Sequence, residues 1–220
     1  MTFVLPPALV AGELVRLQTR QHVVALTFDG GGNAAGAKAI LATLRREHVA
    51  ATFFLTGHFV RAYPALARAI GRRYLVANHT VDHAYLTAMS NAAVAGEIVQ
   101  ANVLIRRATG QDTHPLFRFP YGARDLRTLA ICHRLGYTSI RWTVDTWGWM
   151  GSGSQTVAGA IRRVIDGLVP GEIVLMHVGS SRDGSTIDTH ALPGVIRGVR
   201  ARGYRFVTVD ELLGLRRLYR

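Results

Sequence analysis

The sequence predicts an α/β fold in which about seven parallel strands alternate with helices as a barrel, open or closed. Short apolar runs rich in Val, Leu and Ile recur along the chain, as is typical of strands buried on both faces. Segments with helical spacing separate these runs, and no series of short hairpins interrupts them. With 220 residues, of which 49% are hydrophobic, the chain suits a single domain over residues 1–220.

The apolar runs are short and bounded by turn residues, which identifies them as strands rather than helices. The first run leads into a turn of three glycines and Asn33 and leaves the carboxylate of Asp29 at its tip. In chain order, the predicted strands span residues 22–29, 51–55, 75–78, 116–119, 138–144, 173–176 and 205–208.

Between the strands, apolar residues recur every three or four positions, which predicts helices with one buried face. Pro64 lies in a first turn, Ser90 is a candidate N-cap, and Gly110 and Gly136 follow last turns. A polar loop up to Thr189 is predicted before the last of these helices. The predicted helices span residues 37–48, 64–70, 90–108, 126–135, 156–168 and 192–202.

The composition is strongly basic, with 26 Lys and Arg against 14 Asp and Glu and a formal charge of +12. Such a surface attracts polyanions. The arginines are scattered, without a basic arm or an interleaved aromatic platform, so we expect no nucleic-acid binding and favour an anionic cell-wall polymer. Cys132 is the single cysteine, which excludes a disulfide framework and predicts a small buried residue.

No apolar run approaches the ~20 residues that span a membrane. Residues 1–17 lack the basic start of a signal peptide and include Glu13. We therefore expect a secreted or envelope-associated protein whose export signal was removed or lies outside this sequence. We also expect a monomer.

Polar side chains stand at the carboxyl ends of five predicted strands. In parallel β/α barrels the reactive groups lie in the loops that follow these strand ends, so the side chains are expected to converge. The residues concerned are Asp29, His79 and His83, Arg118 and Tyr121, Asp145, and His177.

His79 and His83 are spaced so that both imidazoles would lie on one face of a helical turn and could share a metal ion. No Glu follows the first histidine, so a general base must come from elsewhere, and Asp29 is the obvious candidate. A lone histidine is more often a core residue than a catalyst. The place of His177 at a strand end favours a catalytic role.

Five short motifs, in order over nearly the whole chain, resemble those of the polysaccharide deacetylase family, the NodB-homology domain of carbohydrate esterase family 4. The motifs lie within residues 22–210. They are Thr27-Phe28-Asp29-Gly30-Gly31, His79-Thr80-Val81-Asp82-His83, Arg118-Phe119-Pro120-Tyr121, Asp145-Thr146-Trp147-Gly148-Trp149 and Leu175-Met176-His177.

The resemblance implies a distorted β/α barrel that removes N- or O-acetyl groups from sugars by metal-assisted hydrolysis. It implies that Asp29 is the general base and that Arg118 pairs with it. His79 and His83 would hold a divalent metal ion, zinc in the first place and otherwise cobalt, manganese or nickel. His177 would protonate the leaving group.

Two further roles concern the acetyl group itself. The backbone N–H of Tyr121 would bind the oxyanion. Leu175 and Trp149 would line a small pocket for the acetyl methyl group, and Asp145 belongs to the same substrate-binding region.

The first departure from the family pattern concerns the metal. Gly30 stands where the family has a second aspartate, a metal ligand, so two neutral imidazoles should hold an ion more weakly. Asn33 could supply the missing ligand through its side-chain oxygen. Asp82 is a second candidate, although Asp at such a position is more often a turn cap.

The second departure concerns the acid. Gly148 stands where the fourth motif has the aspartate that tunes the acid histidine. Asp145 could take this role, and so could Asp183 or Asp188 from the loop after His177. The sequence leaves the three open.

The sequence thus predicts a metal-dependent deacetylase of an N-acetylated cell-envelope glycan, peptidoglycan first and chitin-type oligomers or acetylated xylan next. The alternative is a glycan-binding protein that kept the fold and lost the metal, which Gly30 and Gly148 motivate. Asp29, Arg118 and His177 argue against this alternative, because a pure binder needs neither a base nor an acid.

Overall fold

The computed structural model of the protein describes residues 12–17 and 19–213. The predicted class, an α/β fold of parallel strands in a distorted barrel, is confirmed. The strands are β1 (Glu13–Leu14), β2 (Val23–Gly30), β3 (Thr52–Leu55), β4 (Leu75–Asn78), β5 (Leu116–Phe117), β6 (Thr138–Ile140), β7 (Val144–Asp145), β8 (Glu172–His177) and β9 (Arg205–Val207).

The helices between the strands are α1 (Ala37–Arg46), α2 (Gly57–Ala62), α3 (Pro64–Gly71), α4 (Asn91–Thr109), α5 (Leu126–Arg134), α6 (Val157–Ile165), α7 (Ile187–Ala201) and α8 (Val209–Leu212). Single 3-10 turns cover Leu86–Ala88, Pro120–Gly122 and Gly148–Met150. None of the helices in the described ranges is long and apolar enough to cross a membrane.

The structure differs from the predicted elements in several places, and helix α2 (Gly57–Ala62) was not predicted. The two-residue strand β1 is too short to produce a recognisable apolar run. The strand predicted over 138–144 is divided into β6 and β7. Helix α7 begins at Ile187, within the stretch predicted as a polar loop, because Pro193 suggests a first turn but lies inside the helix.

Within the described residues the chain divides into two compact units, residues 12–15 with 53–141 and residues 16–17 and 19–52 with 142–213. We call them the first and the second unit. The single domain predicted over residues 1–220 stays a prediction.

In the first unit the strands are ordered β1-β6-β5-β4-β3. Helix α4 has the predicted ends, because the Ser90 hydroxyl accepts the N–H of Ala93 and Gly110 closes the helix in the left-handed conformation at φ 81°. A buried cluster forms the core of this unit. It comprises Leu86, Val94, Ile98, Phe117, Phe119, Ile131, Cys132 and Tyr137.

In the second unit β2 lies between β9 and β8, and β7 pairs with the other edge of β8. Every residue of β2 is buried, as its apolar run predicts. Helices α6 and α7 pack closely, since a Cβ atom on Gly194 or Gly198 would lie within 2.7 Å of the Ile161 or Ile165 side chain. The carboxyl ends of β2, β7 and β8 carry the polar residues Asp29, Asp145 and His177.

The buried carboxyl group of Glu172, at the start of β8, makes the stability of the second unit depend on pH. Burial raises the pKa of Glu172 from 4.5 to about 7, although the N–H of Val169 and the charge of Arg16 lower it. Between pH 4.5 and about 7 the Glu172 carboxyl group is therefore protonated in the folded protein and ionised in the unfolded chain. This stabilisation is complete below pH 4.5 and is lost as the pH rises through about 7.

We expect the free energy of unfolding to fall by roughly 3 kcal/mol across this range, and we expect Glu172→Gln to abolish most of this slope. Urea unfolding at several values between about pH 4 and pH 8 measures both. Asp166→Asn, at an exposed carboxylate that ends α6, is the control and should keep the wild-type slope. Equal slopes in wild type and Glu172→Gln would contradict the assignment.

Candidate active site

The register of two neighbouring strands places Asp29 beside His177. Strands β2 and β8 are parallel, and the Cα atoms of Asp29 and His177 are partners at their carboxyl ends. Asp29 is only 8% exposed, and its carbonyl oxygen accepts the N–H of Val178 at 3.0 Å. Backbone pairing therefore holds a carboxylate and an imidazole at neighbouring positions.

The surroundings of His177 favour its protonated form. Burial lowers the pKa of the imidazole, but the nearby carboxylate of Asp188 and the charges of Asp29 and Asp145 outweigh burial and raise it. A raised pKa suits a histidine that acts as a general acid.

Of the three carboxylates that the sequence left open as partners of His177, Asp188 makes the direct contacts. Its Oδ2 accepts the backbone N–H of His177 at 2.8 Å and lies 3.4 Å from Nδ1 of the same residue. Its Oδ1 accepts the hydroxyl of Thr146 at 2.6 Å. Asp183 instead accepts hydrogen bonds from the backbone N–H and hydroxyl of Ser152 and from Ser185.

Asp145 organises the turn that carries two tryptophans. Its carboxylate accepts the backbone N–H of Trp147 at 2.8 Å and the indole N–H of Trp149 at 2.9 Å. Burial raises the pKa of Asp145, against the charge of His177 and these two hydrogen bonds. Both indoles are partly exposed, whereas Leu175, which pairs in register with Asp145, is buried. The predicted substrate contacts of Trp149, Leu175 and Asp145 stay predictions.

His79 and His83 are brought together in the first unit, but not by a helical turn. The segment after β4 is a bend in which Thr80 and His83 have left-handed backbones, at φ 68° and 58°. The two imidazole centroids lie 4.8 Å apart with the rings at 74°. The predicted proximity is confirmed, and the predicted helical geometry was wrong.

Two residues that the sequence analysis did not identify hold this bend. The side-chain oxygen of the buried Asn78 accepts the N–H of Thr80 at 3.0 Å. Oε2 of Glu97, from α4, accepts the N–H groups of Val81 and Asp82 at 2.9 and 3.1 Å. The sequence offered one signal for Asn78, because a polar residue at the end of a buried strand often has a structural role. It offered none for Glu97, because a glutamate on a predicted helix is common.

The imidazole of His79 is oriented for metal binding. Its Nδ1 lies 2.8 Å from the carbonyl oxygen of Arg118, which can only accept, so Nδ1 carries the proton and Nε2 carries the lone pair. The donor set of His79 and His83 fits a divalent transition metal. Within residues 12–17 and 19–213, no group of three or more His, Cys, Asp and Glu side chains could hold an ion.

Asn33, the predicted third ligand, is occupied by its own loop in the second unit. Its Oδ1 accepts the N–H groups of Ala35 at 3.1 Å and Ser180 at 2.9 Å, and its Nδ2 donates to the carbonyl of Ser180 at 3.2 Å. This arrangement does not favour Asn33 as a ligand. The role stays a prediction.

Arg118 is fully buried and locked in place. Its Nε donates to the carbonyl of Ile140 at 3.1 Å, and a terminal nitrogen donates to the carbonyl of Arg141 at the same distance. Its guanidinium carbon lies 3.9 Å from the centroid of the Phe54 ring. The predicted action of Arg118 on Asp29 stays a prediction.

Tyr121 has a left-handed backbone at φ 58°, and its exposed ring stacks on Tyr85 with centroids 4.1 Å apart. The edge of the same ring contacts His83. Among the described residues, five that are not glycine have positive φ, and four of them belong to the second, third and fourth motifs. Such strain concentrates at functional sites. The four are Thr80, His83, Tyr121 and Trp147.

An α/β fold whose parallel strands end in these motifs defines the class of polysaccharide deacetylases. The sequence model of the polysaccharide deacetylase family matches residues 16–140, more than half of the chain. The protein belongs to this family.

Relatives and solved structures agree with this membership. The chain is 32% identical over 211 residues to the peptidoglycan-N-acetylglucosamine deacetylase PgdA of Listeria monocytogenes, covering 96% of this chain but 42% of that protein. It is 32% identical to a chitooligosaccharide deacetylase of a Bradyrhizobium species, covering 86% and 90%. A CE4 family pseudoenzyme from Bacillus anthracis superposes with a TM-score of 0.83 at 27% identity, covering 92% and 69%.

The locked guanidinium of Arg118 generates a stability prediction. Arg118→Lys cannot form the two-pronged contact or stack in the same way, so the carbonyls of Ile140 and Arg141 lose donors. We expect the free energy of unfolding to fall by roughly 2–4 kcal/mol in urea titrations. Arg107→Lys on the exposed face of α4 is the matched control and should change it by less than about 0.5 kcal/mol. A fully stable Arg118→Lys protein would contradict this account.

Proposed function

We propose that this protein is a metal-dependent deacetylase that hydrolyses acetyl groups from an N-acetylated cell-envelope glycan. The observation that carries the proposal is the pairing of Asp29 and His177 in register at the ends of β2 and β8. A base and an acid at neighbouring strand ends suit hydrolysis of an amide, in which a water proton is removed and the leaving nitrogen is protonated.

The proposed steps use the side chains as follows. Asp29 accepts a proton from a water molecule, whose oxygen bonds to the acetyl carbonyl carbon. The backbone N–H of Tyr121, in its left-handed turn, donates to the resulting oxyanion. His177 then protonates the sugar nitrogen as the carbon–nitrogen bond breaks, and acetate and a free amine leave. Arg118 keeps Asp29 ionised and aimed.

His79 and His83 would hold the divalent ion, with zinc as the first choice. When bound, such an ion polarises the acetyl carbonyl and acidifies water. The orientation of His79 by the Arg118 carbonyl supports this role, since a ligand histidine normally donates its other ring N–H to an acceptor.

Peptidoglycan is the favoured substrate, because the relative from Listeria acts on it and the charge of +12 suits an anionic wall polymer. Chitin-type oligomers are the next candidate, given the relative from Bradyrhizobium, and acetylated xylan follows. The exposed indoles of Trp147 and Trp149 and the leucine of the fifth motif, Leu175, would contact the sugar and its acetyl group. This substrate implies action at the cell envelope.

A second candidate is a glycan-binding protein without catalysis. Gly30 and Gly148 replace two aspartates of the family pattern, and the similar protein from Bacillus anthracis is a pseudoenzyme. Acetate release from peptidoglycan, chitin oligomers and acetylxylan separates the two functions, because a binder retains the glycan without releasing acetate.

Removing the proposed base should abolish activity without unfolding the protein. Asp29→Asn is expected to lower kcat for acetate release by about 10²–10⁴-fold, the usual contribution of a general base. Thermal melting of the variant should remain close to wild type. Asp166→Asn, an exposed residue in the same unit, is the charge-matched control. Activity of Asp29→Asn within a few-fold of wild type would reject Asp29 as base.

Zinc binding tests the metal assignment by calorimetry, independently of turnover. Mutation of a residue that hydrogen-bonds to a metal ligand typically lowers metal affinity by roughly 10–100-fold. Because His79 is a proposed ligand itself, His79→Ala should lower the affinity for zinc by more than this. His58→Ala, an exposed histidine of the same unit, should bind zinc like wild type. Zinc binding that survives His79→Ala unchanged would contradict the site.

The same titration examines the third ligand. Gly30 belongs to β2 and lies outside the left-handed region, so an aspartate at this position carries no backbone penalty. Gly30→Asp should therefore tighten zinc binding. Weaker binding by Asn33→Ala would support Asn33 as a ligand, and unchanged binding would remove it from the proposal.

A further inference from the structure

We propose that Asp188 is the positioning residue of His177 and that it has replaced the aspartate of the fourth motif, at whose position this chain has Gly148. This inference rests on the proposed function for the role of His177 as acid. The acidic group would thus have moved from the loop after β7 to the first turn of α7. The contact with His177 would be preserved although the residue that makes it has changed.

The first argument is the set of contacts that Asp188 makes. The residue is only 3% exposed, and both carboxylate oxygens are engaged. Oδ1 accepts the hydroxyl of Thr146, and Oδ2 accepts the N–H of His177 and faces Nδ1 of the imidazole at 3.4 Å. The backbone N–H of Thr146 donates to the carbonyl of Leu175 in β8 at 3.2 Å. The carboxylate is therefore held at a defined place beside the ring.

The second argument is space at position 148. A Cβ atom built on Gly148 would lie 2.3 Å from Oδ1, 2.4 Å from Cγ and 2.6 Å from Oδ2 of Asp188. The Asp188 carboxyl group thus fills the volume that a side chain at position 148 needs. Gly148 lies outside the left-handed region, so its backbone conformation does not require glycine. Asp188 thus accounts for the glycine, because a side chain at position 148 would force the Asp188 carboxyl group to move.

The third argument is electrostatic. The charged groups that act on His177 are Asp188, Asp29 and Asp145, and Asp188 is the one whose carboxylate lies within ion-pair distance of the imidazole, 3.4 Å from Nδ1. Asp145 is also tied to two tryptophans through its own hydrogen bonds. Asp188 also lies in the first turn of α7, where the helix dipole stabilises a carboxylate.

The experiment compares Asp188→Ala with wild type by two readouts. The titration of the His177 imidazole, followed by NMR and assigned with His177→Ala, should shift to lower pH by about one unit or more. In acetate release, kcat should fall by roughly 10²-fold with little change in KM, and the high-pH limb should move to lower pH. Asp166→Asn is the control and should change neither readout. If Asp188→Ala does not fold, Asp188→Asn replaces it.

The replacement itself is tested by moving the carboxylate back. Gly148→Asp alone should lower the melting temperature, because its side chain meets Asp188. Gly148→Asp with Asp188→Ala should regain at least about tenfold in kcat over Asp188→Ala and restore the His177 titration towards wild type. Gly148→Ala with Asp188→Ala fills the space without the charge and should restore neither.

Two results would overturn the inference. One is an Asp188→Ala protein in which both the His177 titration and kcat match wild type. The other is a double variant with aspartate at position 148 that behaves like the one with alanine. If wild type releases no acetate from any glycan, the proposed function fails, whereas the NMR titrations still decide whether Asp188 holds the charge of His177.

Discussion

The pairing of β2 with β8 is the constraint on which the site in the second unit depends. Parallel pairing with Thr27 opposite Leu175 and Asp29 opposite His177 aligns two motifs that are about 150 residues apart in sequence. A slip of one residue would turn the Asp29 side chain into the packed face of β2. The buried apolar residues of both strands therefore set the position of the reactive groups.

This arrangement costs free energy, because several carboxylates are buried around one imidazole. Asp29, Asp145 and Asp188 all act on His177, and each is at most 9% exposed. Like charges placed this closely repel each other, so the protonated imidazole stabilises them as much as they stabilise it. The hydrogen bond from the Thr146 hydroxyl to Asp188 offsets part of the remaining cost.

The first unit achieves its geometry differently, through strained turns held by buried polar groups. Thr80 and His83 adopt left-handed backbones that cost energy for residues other than glycine. Asn78 and Glu97 accept the N–H groups that such a bend leaves unpaired. The proximity of the two histidines is thus a product of the bend, and the surrounding network keeps the bend from relaxing.

The sequence by itself determined the α/β class, most strands and helices, and the identity of the polar residues at the strand ends, because burial, helix caps and short motifs are local patterns. It misplaced the start of α7, since Pro193 resembles a first-turn proline, and it assigned the histidine pair to a helix, since left-handed residues leave no periodic signal. Only the tertiary structure decided which aspartate reaches His177. Asp188 and Gly148 are 40 positions apart, and whether one fills the space of the other depends on how α7 packs against the turn after β7.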